Sequence, residues 1–148
     1  MSELRYTYPA RLEPQEDGSL LVQFVDLPEA LTDGADEAEA LAEAADCLSE
    51  ALAGRIHRGE EIPLPSPLQD GLYAVAPEPT IALKTALYEA LKKRGLSIPE
   101  LARRLEMDER EAARLVDPRA RTRLTSLEAA LAALGYEIGI EVREKRIA

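Results

Sequence analysis

The chain has no tryptophan, one phenylalanine, one cysteine (Cys47) and one histidine (His57) in 148 residues. A single cysteine excludes an internal disulfide framework and a multi-cysteine zinc site. A single histidine leaves too little for a histidine-built metal centre or a nucleophilic triad. No apolar run approaches the ~20 residues that span a bilayer. The opening Met1-Ser2-Glu3-Leu4-Arg5-Tyr6 lacks the basic region and apolar stretch of a secretory signal, so a cytoplasmic location with no membrane partner is expected. Cations are scarce in the first half: residues 1–76 hold four (Arg5, Arg11, Arg55, Arg58) against sixteen carboxylates.

What is present suffices for folding. At 46% hydrophobic and 31% charged the chain can form a core, and its length suits one domain or two small ones. The net charge of −10 argues, taken whole, against nucleic-acid binding. It is unevenly spread, however: residues 1–76 carry −12, residues 77–148 carry +2, and residues 81–124 carry +4. Such asymmetry points to two modules with different partners. Residues 62–80 mark the boundary with five of the ten prolines. Proline lacks an N–H and fixes φ, which excludes a helix there but leaves room for a strand at residues 71–76. The expected organisation is a first domain at 1–76, a linker at 77–80 and a second domain at 81–148.

In the first domain Tyr6, Tyr8, Ala10 and Leu12 alternate with polar residues, the period of a half-buried strand. Asp17-Gly18 is a turn signal, and residues 20–25 form a second strand of a hairpin. Residues 30–32 suggest a short third strand. Residues 36–57 read as a helix capped by Asp36 with Glu39 three residues on, its stripe being Leu41, Ala44, Ala45, Leu48, Leu52 and Ile56. This order gives an α+β fold, a small antiparallel sheet with one helix.

Glu16-Asp17-Gly18-Ser19, Val22-Gln23-Phe24-Val25-Asp26-Leu27-Pro28, Thr32-Asp33-Gly34, Glu39-Ala40-Leu41 and Ile62-Pro63-Leu64-Pro65-Ser66 follow one another in the order and spacing of the HicB antitoxin pattern. Residues 4–76 therefore resemble that family. Val25 replaces its usual proline, Glu29 its usual glycine and Glu43 its usual asparagine. The resemblance implies a reduced ribonuclease-H-like domain that masks a HicA-type toxin, an mRNA-cleaving ribonuclease. Phe24, Asp26, Leu27, Pro28, Glu29 and Thr32 are the toxin-binding residues it suggests. An acidic surface also suits a basic RNA-gripping partner, by steering it.

In the second domain Ile81, Leu83, Leu87, Tyr88 and Leu91 lie on a helical stripe that Gly95 ends. Ser97 with Glu100, Asp108 with Glu111, and Thr125 with Glu128 have capping-box spacing ahead of three more helices. Residues 136–142 alternate as a final strand. Leu96-Ser97-Ile98-Pro99-Glu100-Leu101-Ala102-Arg103-Arg104-Leu105-Glu106-Met107-Asp108 resembles the helix-turn-helix of the Xre (Cro-type) repressor family, with Glu106 in place of the usual turn glycine. This all-α helix-turn-helix domain, ending in the C-terminal strand, implies operator double-stranded DNA as a partner.

The recognition helix would be residues 109–116. Arg110 and Arg114, four apart on one face, suit bidentate contacts to guanine. Glu109 could accept from cytosine. Arg119, Arg121 and Arg123 follow in five residues without an acid and suit phosphate backbone. Ser97, at a helix N-terminus, suits another phosphate. A helix-turn-helix on a palindromic site implies a homodimer or higher homo-oligomer, with residues 136–142 pairing to their equivalent or to the main body.

Asp17, Asp26 and Asp33 invite comparison with a two-metal nuclease, but turn geometry explains each. No metal, cofactor or catalytic residue is expected, nor is an enzyme. The expectation is an antitoxin that neutralises a HicA-type toxin and autoregulates its operon. The alternative is a stand-alone transcriptional regulator whose first domain senses a ligand or binds a protein, with no toxin partner.

Overall fold

The computed structural model describes residues 3–144. The first two residues and the last four, which the sequence reading included in its two domains, lie outside it. The chain divides into two compact units. One takes the residues through Leu52, Pro63–Pro79 and Arg143; the other takes Ala53–Ile62 and Thr80–Val142.

The first unit contains β1 (Tyr8–Pro14), β2 (Leu20–Phe24), β3 (Leu31–Gly34), most of α1 (Glu37–Arg58) and β4 (Tyr73–Val75). The four strands form one antiparallel sheet in the order β3-β2-β1-β4. Ala10 faces Phe24 and Pro14 faces Leu20 across the hairpin. Its turn is held by Asp17, whose Oδ1 accepts from the Ser19 hydroxyl and N–H. The alternation predicted for β1 holds in part: Tyr8 and Ala10 are buried and Leu12 is half-buried, but Pro9, expected on the other face, is buried too; in β2 Val22 and Phe24 are buried. The buried stripe of α1 is Ala40, Ala44, Leu48 and Leu52, four residues apart. It lies slightly to one side of the predicted stripe, leaving Leu41 and Ala45 only half-buried. At the start of α1 the Asp36 carboxylate accepts from the Glu39 N–H, and the Glu39 carboxylate accepts from the Ala35 N–H.

Gly34 explains why glycine closes the Thr32-Asp33-Gly34 motif. A Cβ there would lie 2.3 Å from the Ala40 nitrogen, in the first turns of α1. The tightness of the turn between β3 and α1 therefore depends on the absent side chain.

The second unit contains α2 (Pro79–Arg94), assigned to it from Thr80, with α3 (Ile98–Leu105), α4 (Glu109–Val116) and α5 (Leu124–Ala133). Leu87, Leu91, Leu101, Ala102, Ala112, Leu115, Leu127 and Leu131 share one core, and α3 packs against both α4 and α5. Helix α2 begins two residues earlier than its apolar period predicts, because proline tolerates the first helical turn. Gly95 ends it in the left-handed conformation (φ 64°), which lets Leu96 donate to the Leu91 carbonyl.

Two expectations need correction. Residues 124–133 are helical, with Arg123 at the N-cap and no side-chain cap bond. Thr125 and Glu128 thus lie inside the helix and form no capping box. Residues 136–142 pair with no strand among the described residues and form no strand there. Alternation alone does not make a strand; a ladder partner is needed.

Candidate functional site

Two surfaces carry the residues singled out by sequence, one on each unit. On the first unit, residues 25–30 form a tight loop between β2 and β3. Phe24 donates its N–H to Ala30, Ala30 donates to Leu27, and Val25 donates to Pro9. Leu27 is fully buried and anchors the loop from below. The two Asp26 carboxylate oxygens accept from the Ser66 N–H and hydroxyl, pinning the Pro-rich segment against the loop.

The six expected toxin contacts thus divide by placement. Phe24 and Leu27 are core residues, Asp26 is committed to Ser66, and Thr32 is half-buried. Pro28 and Glu29 are exposed at the tip. Val25 and Leu31, absent from the expected set, are 44% and 55% exposed. Leu31 opens β3, an edge strand of the sheet. Exposed Glu29, Asp33, Asp36, Glu39 and Glu43 follow one another along the same part of the chain. The arrangement offers apolar contact, an open strand edge and negative charge to a protein partner.

Neither Cys47 nor Asp17 adds chemistry. Burial pushes the Cys47 thiol up, and the Glu29 carboxylate pushes it further, which keeps it protonated and inert. The Ser19 hydroxyl and then its N–H hold the Asp17 carboxyl below its ordinary value. Asp17, Asp26 and Asp33 belong to no cluster of metal-ligating side chains among the described residues.

On the second unit the surface is α4 with the loop that follows. The Asp108 carboxylate caps α4 by accepting from the Glu111 N–H. Ala112 and Leu115 face the core, which leaves Glu109, Arg110 and Arg114 exposed. The chain then turns. The Asp117 carboxylate accepts from the Arg119 N–H, the Asp117 carbonyl accepts from the Ala120 N–H, and Thr122 reaches back to the Arg114 carbonyl. Arg119, Arg121 and Arg123 are all exposed on this loop. The structure therefore places the five arginines on one helix and the loop folded back onto its end.

Ser97 is exposed and fully engaged. Its hydroxyl and its N–H both donate to the Glu100 carboxylate, and its oxygen accepts from the Glu100 N–H. Those bonds, the backbone one first, hold the Glu100 carboxyl below its ordinary value. A phosphate approaching α3 here meets that carboxylate already in place.

Sequence reasoning passed over Lys84. It is fully buried, and its Nζ donates to the carbonyls of Arg114 (3.0 Å), Asp117 (2.5 Å) and Ala120 (2.6 Å). Burial pushes its ammonium below the ordinary lysine value, against the pull of the Asp117 carboxylate. Its position carried a signal: Ile81, Lys84, Leu87 and Leu91 keep helical spacing, so the lysine occupies a core position.

The comparisons with known proteins agree with one another. A family model described as the HicB-like antitoxin of bacterial toxin–antitoxin systems matches residues 7–94. Antitoxin HicB of Escherichia coli (strain K12) is 36% identical over 133 residues, covering 90% of this chain and 96% of the relative. Antitoxin HicB 1 of Photorhabdus laumondii is 35% identical over 136 residues, 91% of this chain and 86% of the relative. Antitoxin HicB of Pseudomonas fluorescens (strain Pf0-1) is 32% identical over 129 residues, 86% and 88% respectively.

Proposed function

The chain belongs to the HicB-like antitoxin family of bacterial toxin–antitoxin systems, and on that premise we propose that it does two jobs with its two units. The first unit binds and neutralises a HicA-type mRNA-cleaving toxin. The second binds operator DNA of its own operon. It works in the cytoplasm by blocking its partner, not by catalysis.

The observation that carries this reading is the reversal of charge. Residues 1–76 hold −12 and residues 81–124 hold +4. A toxin that grips RNA phosphates presents cations, and an acidic surface raises its rate of encounter. On the first unit the toxin meets Pro28, Glu29 and Thr32 directly, while Phe24, Asp26 and Leu27 hold the loop in shape. The sheet with one helix supports a reduced ribonuclease-H-like domain.

On the second unit, two short helices joined by a three-residue turn support a helix-turn-helix, with α4 as its recognition helix. Arg110 and Arg114 read base edges, Glu109 lies beside them, and Arg119, Arg121 and Arg123 hold the phosphate backbone. Ser97 contributes by capping the start of α3, its hydroxyl and N–H being bound to Glu100. A dimer places two such helices on a palindromic site. Tyr136 and Ile138 pack against the core, while Ile140 and Val142, which continue the same alternation in sequence, are 84% and 90% exposed. That uncovered end of an apolar row suits pairing with a second copy.

Co-expression with the product of a neighbouring short basic reading frame tests the first job. Growth rescue and co-purification are expected; their absence, with a metabolite altering DNA binding instead, would favour a stand-alone regulator. Changing Arg119, Arg121 and Arg123 together to Ala tests the second. DNA affinity should fall and its salt slope flatten by about 0.9 per lost phosphate contact, with toxin binding intact. Equal loss of both activities contradicts two separable surfaces.

A further inference from the structure

We propose that Lys84 is a positioning residue for DNA binding, which rests on the DNA-binding reading above: its buried ammonium locks the Arg119, Arg121 and Arg123 loop onto the end of α4, so that both arginine groups meet the duplex as one preformed surface.

The three acceptors of Lys84 lie at three places along one stretch of chain. Arg114 is in the last turn of α4, Asp117 is its C-cap, and Ala120 is inside the arginine loop. An ammonium has three N–H donors, so every donor of Lys84 is used. The end of a helix leaves carbonyls without intrahelical partners and carries the negative end of its dipole. A cation is the natural complement there. Its burial is tolerated because it is fully hydrogen-bonded.

Lys84 is itself 0% exposed, so it touches no DNA. Its effect must pass through the backbone it holds. The Asp117 and Thr122 bonds already fold the loop locally. Lys84, on α2, adds a tie from the core helix to both the loop and the end of α4 through one ammonium. Without it, three carbonyls would lose their shared donor, and the loop would be held only by its own turn. Flexible arginines still attract a duplex, but ordering them on binding costs entropy that a fixed loop has already lost.

The test uses the full chain and duplex DNA from the region upstream of its own gene. Lys84→Met keeps the volume and removes the donors. Its DNA affinity should fall roughly ten-fold, with a flatter salt slope, although no phosphate-touching residue has changed. Amide hydrogen exchange should quicken in residues 117–123 while α2 and α5 stay protected, and toxin binding should be unchanged. Wild-type affinity and slope in a folded Lys84→Met chain would overturn the proposal. So would exchange that quickens evenly through the second unit, the mark of a merely structural residue. Should that variant not fold, backbone relaxation of the wild type decides. Order in residues 119–123 equal to that of the helices, S² about 0.85, is expected, and values below ~0.6 overturn the proposal. Failure of the wild type to bind the duplex at all overturns the DNA-binding reading, and is seen before any variant is made.

Discussion

At the scale of single residues, two positions show backbone geometry choosing the side chain. Gly34 lies against the first turns of α1, where a Cβ would sit 2.3 Å from the Ala40 nitrogen. The atom it would strike is backbone and cannot swing away. Gly34→Ala should therefore destabilise the first unit by roughly 1–3 kcal/mol, read as a lower midpoint in urea unfolding. An unchanged midpoint would mean that the turn can widen freely. Glu106 is the opposite case. Its φ of 53° is the left-handed conformation that glycine adopts without penalty, and its N–H still bonds to the ends of α3. Glu106→Gly should relieve the strain and stabilise the second unit by up to about 1 kcal/mol, less the added freedom of the unfolded chain. A destabilised variant would show that the Glu106 side chain supplies more than the strain removes.

At the scale of elements, much of the architecture was legible. The Asp17-Gly18 turn, the apolar pattern of β1 and β2, and the Ser97–Glu100 box each encode their structure locally, within a few residues. The interactions missed are those in which distant partners decide. Lys84 bonds to carbonyls 30 and more residues away, and Asp26 to Ser66 forty residues on. The third capping box failed because helix α5 started one residue after Arg123, with no side-chain cap at all. Residues 136–142 have a strand's alternation but no ladder partner among the described residues. The Ser97–Glu100 box also sets a pH dependence. Glu100 has a folded value below its ordinary 4.5, so its contribution is present above that pH and fades as pH falls through the folded value. In an NMR titration its carboxylate should titrate below 4.5, and Ser97→Ala should move it part of the way back. The shift is partial because the backbone N–H of residue 97 remains. No movement in the variant would exclude the serine hydroxyl as a cause.

At the scale of the whole molecule, the net charge of −10 conceals two regions of opposite sign. The two compact units follow that division only in part, since Ala53–Ile62 of the acidic region belongs to the second unit. Assembly is a separate matter. The uncovered Ile140 and Val142 predict that a chain ending at Gly135 is a monomer in sedimentation, with the full chain dimeric. A truncated chain that still dimerises would move the interface elsewhere. The sheet order adds a consequence in time. Strand β1 pairs with β4, Tyr8 opposite Val75, and the Tyr8 hydroxyl donates to Pro63. The first strand made must wait for the last before its outer edge is closed. At about 5–20 residues per second of synthesis that wait lasts several seconds. A nascent chain still short of residue 75 therefore carries an open edge on β1, and the first unit is complete only once the ribosome has begun the basic half.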